Sequence, residues 1–215
     1  MTRAHNADIA RLASMIWQPG RHMDEGWWHA FDMLPWQTAY RQHAVCRAHV
    51  DRLLIERRGW PGAAASDCAP PASDAARDAL RLLPRLRRVS LAHGLRVLGC
   101  PDYLLLGRYR RALSSWLDAW QCDRLLLTRQ AWPARAALPP EQVVRAALAT
   151  AGTWLDSAPE PSCVDLATVG KAARILLPPP AAAGPSPIDV PIGGDDIWQR
   201  LATLEKMLCM SSTAH

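Results

Sequence analysis

Residues 35–58 read PWQTAYRQHAVCRAHVDRLLIERR, and Gly59-Trp60-Pro61 follows at once. Proline suits a first helical turn, and glycine with a proline behind it suits an exit, so the spacing predicts one long helix from Pro35 to Arg58. Trp36, Ala39, Tyr40, His43, Cys46, Val50, Leu53 and Leu54 fall near helical spacing and form its packing stripe. Arg41, Arg47, Asp51 and Arg57 lie largely outside that stripe, on a wet face. A helix of this length and pattern sets the expectation for the rest of the chain.

Working outward, Asp24 to Leu34 predicts a short helix whose Trp27, Trp28 and Phe31 are bulky anchors. Beyond an Ala/Pro-rich stretch, Ser73 is an N-cap, and Pro84 divides the segment after it into a short helix and a longer one that ends near Gly99. The inner stripe of the longer one is Leu86, Val89, His93 and Val97. Asp102 then caps a helix carrying Tyr103, Leu104, Leu106, Tyr109, Leu113, Trp116 and Trp120, with a further helical segment through Leu125 to Leu127. Pro140 opens another to about Leu155, and Asp165 caps one that ends at Leu177. Strict alternation of apolar and polar residues persists almost nowhere, so strands are not expected.

The 18 prolines crowd into Trp60–Ser73 and Leu177–Pro191. The Pro, Ala, Gly and Ser text of the second stretch cannot bury enough surface to offset its ordering entropy. Past it, Asp195 or Asp196 caps an amphipathic helix with Ile197, Trp198, Leu201, Leu204 and Leu208 on one side, and docking on its own body is favoured over docking on a partner. The expected fold is therefore all-α, an irregular multi-helix domain with Pro/Ala-rich connectors and a tethered C-terminal helix. Its expected segments are an N-terminal helical lobe (1–59), a connector (60–73), a main helical body (74–177), a flexible linker (178–194) and a C-terminal helix with tail (195–215).

With 215 residues and 49% hydrophobic content the chain can build a real core. Its net charge is +5, and of 25 basic residues only Lys171 and Lys206 are lysine. This balance permits an acidic partner or nucleic acid without demanding either. Residues 1–20 hold Arg3, Asp8 and Arg11 and lack a continuous apolar run, so no leader is expected, and no run approaches the ~20 apolar residues of a membrane span. Six scattered cysteines in a chain of this size point to reduced thiols and a cytoplasmic setting.

Chemistry-bearing patterns are few. His43-x-x-Cys46-x-x-His49 places neighbours three apart on one helix face, but its two histidines are rotated by about 120° from each other, so a further ligand such as Cys100 would have to complete a metal site. Packing is the favoured reading, and no metal or cofactor is expected. None of the cysteines sits in a nucleophile signature. Gly193-Gly194-Asp195-Asp196 reads as a loop before a helix cap. The motifs GxxxxGK(S/T), GxGxxG and GxSxG are absent, and no paired carboxylates lie on an apolar helix face. No enzymatic activity and no small-molecule substrate are expected.

Ser90 to Leu113, SLAHGLRVLGCPDYLLLGRYRRAL, resembles the helix-turn-helix of AraC-type regulators, with Gly99 at the turn and Arg108, Arg110 and Arg111 after it. A DNA-binding transcriptional regulator is thus the alternative reading. Leu104, Leu105 and Leu106 stand where a recognition helix presents polar groups to base edges, and a triple leucine belongs in a core. Specific nucleic-acid binding is not expected.

Another resemblance covers Trp27 to about Leu155. It is carried by Met33-Leu34-Pro35-Trp36, by Arg57-Arg58-Gly59-Trp60, by Leu82-Leu83-Pro84-Arg85-Leu86-Arg87-Arg88, by the apolar Leu95–Gly99 and by the arginine-rich helix through Arg111. In order and length these elements look like the SctK family, the sorting-platform adaptor of bacterial type III secretion, in its plant-pathogen-type branch. The resemblance implies a helical, non-catalytic cytosolic adaptor that links the cytoplasmic domain of the inner-membrane ring protein to the pod protein. It would sit at the cytoplasmic face of the inner membrane through protein contacts only. No residue-level site is carried over. Most of the ten tryptophans are read as core. Trp27, Trp28, Trp60 and Trp132 lie beside breaks or helix ends and are the candidate exposed partner-binding anchors.

Overall fold

The computed structural model describes residues 3–62, 71–128, 137–161, 163–180 and 194–209, with side chains described from residue 6 onward and, in the last stretch, from 197. Every regular element among them is helical: α1 (Arg3–Trp17), α2 (Gly26–Ala30), α3 (Leu34–Gln42), α4 (Ala44–Arg58), α5 (Asp74–Leu82), α6 (Leu86–Leu98), α7 (Asp102–Leu105), α8 (Gly107–Leu113), α9 (Ala119–Leu127), α10 (Pro140–Asp156), α11 (Val164–Arg174) and α12 (Gly194–Cys209). The all-α expectation holds. Within the N-terminal lobe the sequence reading delimited no helix before Asp24; α1 is one, and it buries Leu12, Met15 and Ile16.

The helices gather into two compact units, one of Met1–Leu83 with Glu160–Pro179, the other of Pro84–Pro159 with Pro180–His215. This grouping cuts across the expected segments, because α11 returns to the first unit and α12 belongs to the second. The expected connector and linker fall largely on 63–70 and 181–193, outside the described residues.

In the first unit the long helix predicted from Pro35 to Arg58 is two helices. His43 stands between α3 and α4 in an extended conformation, φ −116° and ψ 107°. Two interactions stabilise the break. The Arg47 guanidinium donates to the carbonyls of Tyr40 (3.1 Å) and Arg41 (3.2 Å), which serves acceptors that the end of α3 leaves unpaired. Asp51, expected on the wet face, is buried instead, and its carboxylate accepts from the Tyr40 hydroxyl and the Gly20 amide. Burial raises the Asp51 carboxyl above its ordinary range, against the pull of those donors and of Arg21 and Arg47.

Both ends of α11 are tied into this unit. Near its start, Asp165 was expected to cap α11 itself. Cys163 takes the N-cap position instead, and the Asp165 carboxylate, inside the first turn, accepts from the amides of Ala72 (3.0 Å) and Ser73 (2.7 Å) and so secures the entry to α5. Burial raises the Asp165 carboxyl, but the Ser73, Ala72 and Leu166 donors together outweigh it and hold it below the usual range. Ser73 caps α5 as its sequence position requires, accepting from the Ala76 amide at 3.2 Å. At the other end of α11, the Asp24 amide donates to the Ile175 carbonyl at 2.7 Å.

In the second unit α6 is the central helix. Leu86, Val89, Ser90, Leu91, Ala92, Gly94 and Leu95 are all buried, a pattern that goes round the helix rather than along one stripe. α10 crosses it so closely that a Cβ on Gly94 would lie 1.9 Å from the Ala147 carbonyl oxygen. α12 packs on α6 and α9 through Ile197, Trp198, Leu201, Leu204 and Leu208, in line with the expected self-docking. The Gln121 side-chain amide donates to the Leu208 carbonyl at 3.1 Å, and Arg85 pairs with Glu205. α12 begins at Gly194, so Asp195 and Asp196 lie inside its first turn and are not caps.

The helix expected from Asp102 through Trp120 is also broken. Leu106 is extended, φ −82° and ψ 133°, and separates α7 from α8. A second break precedes α9, where Asp118 and Gln121 form a reciprocal capping box.

Candidate protein-binding surfaces

Tryptophan and arginine meet repeatedly. Arg58 stacks over Trp60 at 4.6 Å, Arg87 over Trp116 at 5.6 Å, Arg124 over Trp120 at 4.8 Å and Arg174 over Trp27 at 5.3 Å. A guanidinium loses little hydration when it lies flat on an indole, so these pairs bury aromatic surface without requiring a carboxylate for each cation. The arginine-rich composition therefore has an internal use.

This pairing relocates the anchors named from the sequence. Trp28 is only 2% exposed and packs against Tyr40 with ring centroids 5.4 Å apart, so it is a core residue. Trp27 is half-buried: it stacks on Phe31 at 4.9 Å, carries Arg174, and donates from Nε1 to the Leu177 carbonyl at 2.8 Å. Trp60 is half-buried under Arg58, whose guanidinium also donates to the Lys171 carbonyl. Burial, and then the like charge of Arg174, pull the Arg58 pKa down to about 10. Trp132 lies outside the described residues.

Among the described residues the most open tryptophans are different ones, Trp17 at 49% and Trp36 at 44% exposure. Helical spacing assigns Trp36 to the inner stripe, and the structure corrects this. Because α3 is short and ends at His43, only Tyr40 on it is buried, and Leu34, Pro35 and Trp36 in its first turn face outward. Spacing carries no signal for this, since Trp36 stands one turn before Tyr40 on the same face of α3.

The second unit has an open strip of its own. Of the three consecutive leucines expected in the core, Leu104 is buried, while Leu105 is 51% and Leu106 40% exposed. Next to them Arg108 and Arg111 are exposed, and a Cβ on Gly107 would meet nothing within 4 Å. The same break removes the helix-turn-helix geometry. Within Ser90–Leu113 the chain after Gly99, left-handed at φ 70°, forms only the four-residue α7 and the seven-residue α8, and Tyr109 and Leu113 of α8 are turned into the core.

The His43, Cys46 and His49 pattern is dismantled by the extended His43, and His49 lies 2.9 Å from the Arg52 guanidinium instead. Among the described residues no three His, Cys, Asp or Glu side chains are grouped to hold a metal ion. Cys100 and Cys122 are buried, and burial raises the Cys122 thiol above its usual range. Among the described residues no helix is long and apolar enough to cross a membrane.

Taken together these features define an all-helical protein of two units, each with large apolar side chains exposed. The chain belongs to a family of type III secretion system subunits, whose family model matches residues 10–179. That match takes in α2 to α11 and most of α1, and ends before α12. Comparison with curated proteins and with solved structures gave no match.

Proposed function

We propose that this chain is the SctK-type adaptor of a type III secretion sorting platform. It joins the cytoplasmic domain of the inner-membrane ring protein to the pod protein, and it reaches the cytoplasmic face of the inner membrane through those contacts. Its work is binding rather than catalysis, with no cofactor and no small-molecule substrate. Family membership supplies the setting. The observation that carries the adaptor reading is Leu34-Pro35-Trp36, an apolar turn held open on α3 within the text that bears the SctK resemblance. An exposed tryptophan flanked by apolar neighbours is the kind of side chain on which interfaces concentrate their energy.

The test is co-purification with each candidate partner near physiological salt, where the nonspecific attraction of a basic chain for polyanions is reduced. Both the pod protein and the ring protein's cytoplasmic domain are expected to be retained. Salt-resistant, sequence-specific DNA binding with no affinity for either protein would overturn the assignment in favour of a regulator.

A further inference from the structure

Leu106 breaks two local rules at once. It is the N-cap residue of α8, where a leucine side chain makes no capping hydrogen bond and serine, threonine, asparagine or aspartate would be preferred. It also leaves 40% of itself in water, beside Leu105 at 51%. Local choices that oppose stability without gain to the fold concentrate at functional positions.

The surroundings specify what such a surface takes. Arg108 and Arg111 are three apart on α8 and therefore neighbours on one face, and both are exposed. Neither forms an ion pair among the described residues; Arg108 rests on the Tyr109 ring at 4.9 Å. Arg110 differs, because its guanidinium donates to the Leu104 carbonyl at 2.6 Å and pairs with Asp123 of α9. That bond fixes the end of α7 against α9, one helical turn from Leu127, which is 81% exposed. The exposed leucines are thus edged by two cations that form no ion pair among the described residues.

We infer that the strip of Leu105, Leu106, Arg108 and Arg111, with Leu127 beside it, seats an amphipathic helix of a protein partner, one with aliphatic side chains on its inner face and carboxylates along its edge. The inference rests on the adaptor reading and names the chemistry of one partner. The same unit already holds such a helix elsewhere: α12 lays its leucines on α6 and α9 and sets Glu205 against Arg85. A protein helix fits better than an anionic membrane. The exposed apolar strip is short and edged by only two cations, which suits one protein helix and falls short of the long apolar face and polybasic edge that hold a surface on an anionic bilayer.

The test titrates the full chain with two labelled synthetic helices of identical leucine spacing, one with glutamate and one with lysine flanking the leucines, near physiological salt. The glutamate helix is expected to bind at least about tenfold tighter. Leu106→Ser removes the apolar group while supplying a better cap, so it is expected to weaken binding about tenfold without lowering the melting temperature. Arg108→Glu with Arg111→Glu is expected to reverse the preference toward the lysine helix. Equal binding of the two helices, or indifference to these variants, overturns the inference, as does capture by anionic phospholipid vesicles through the same residues with no binding of the glutamate helix. If both secretion proteins co-purify with the chain while the glutamate helix fails to bind, this inference falls alone and the adaptor reading stands.

Discussion

The Tyr40 hydroxyl donates to the Asp51 carboxylate across the break at His43, 3.1 Å from one oxygen and 3.2 Å from the other. Gly20 completes the arrangement, with its amide 3.0 Å from the same carboxylate and no space for a Cβ, which would lie 2.7 Å from the Tyr40 ring. Three segments distant in sequence therefore meet on one buried charge. Tyr40→Phe keeps the ring and removes the donor, leaving the carboxylate under-satisfied. The expected loss is about 1–3 kcal/mol in urea unfolding at neutral pH. Because burial has already raised the Asp51 pKa and loss of the Tyr40 donor raises it further, the carboxyl takes up its proton above the ordinary carboxylate value, so the loss shrinks as pH falls toward that value from neutrality. An equally stable variant at pH 7 would contradict this account.

His93 and Trp154 lie with ring centroids 4.0 Å apart, and both His93 Nε2 and Trp154 Nε1 are enclosed without a hydrogen-bond partner among the described residues. Burial first, then Arg96 and Arg200, depress the His93 pKa to about 4. A histidine depressed on folding adds stability that is full above its unfolded pKa, near 6.5, and is lost as pH falls toward 4. The melting temperature is expected to fall through that window, by the equivalent of about 2–3 kcal/mol. His93→Gln should flatten most of the slope. His22, also lowered by burial and by Arg11 and Arg21, leaves a smaller remainder. A pH profile unchanged by the substitution would place the titration elsewhere.

Two glycines give opposite expectations for the same substitution. At Gly94, alanine would drive a Cβ to 1.9 Å from the Ala147 carbonyl, and backbone cannot swing aside as a side chain does. Gly94→Ala is expected to separate α6 from α10 and to leave little folded protein. Gly59 ends α4 at φ 67° with nothing within 4 Å, so Gly59→Ala meets only left-handed strain, about 1 kcal/mol. Circular dichroism melts of the two variants should differ widely. Similar melts would mean that α6 and α10 have room to part at little cost.

How far the fold was legible depends on what each residue competes with. Caps and stops with a local mechanism were readable: Ser73 at the start of α5, the Pro84 break before α6, Pro140 at the start of α10 and Gly99 after α6 all act within a few residues of themselves. The breaks at His43 and Leu106 were not, because neither residue is a helix breaker. One is supported by Arg47 reaching back to α3 and by Asp51 packing against Gly20, the other by Arg110 reaching the Leu104 carbonyl, and such contacts depend on tertiary placement. For the same reason Trp28 was placed outside and Trp36 inside. Helical spacing identifies which residues share a face, but it does not say that a helix stops one turn short of its neighbour or that an arginine will cover an indole.

Trp28 and Trp36 put that difference to the test. Both are tryptophans near the start of short helices in the same unit, and sequence position ranks Trp28 as the better anchor. Trp28 is 2% exposed against Tyr40, whereas Trp36 is 44% exposed. Trp28→Ala should therefore cost about 3–5 kcal/mol of stability, and any binding loss should track unfolding. Trp36→Ala should leave the melting temperature nearly unchanged and weaken retention of a secretion partner by about 2 kcal/mol or more, as truncation of an interface anchor does. Melting curves and pull-downs on the same preparations separate the two effects. If Trp36→Ala binds both partners as the parent does, then Leu34-Pro35-Trp36 is merely an exposed turn, and the partner contact must be sought on the leucine and arginine strip of the second unit.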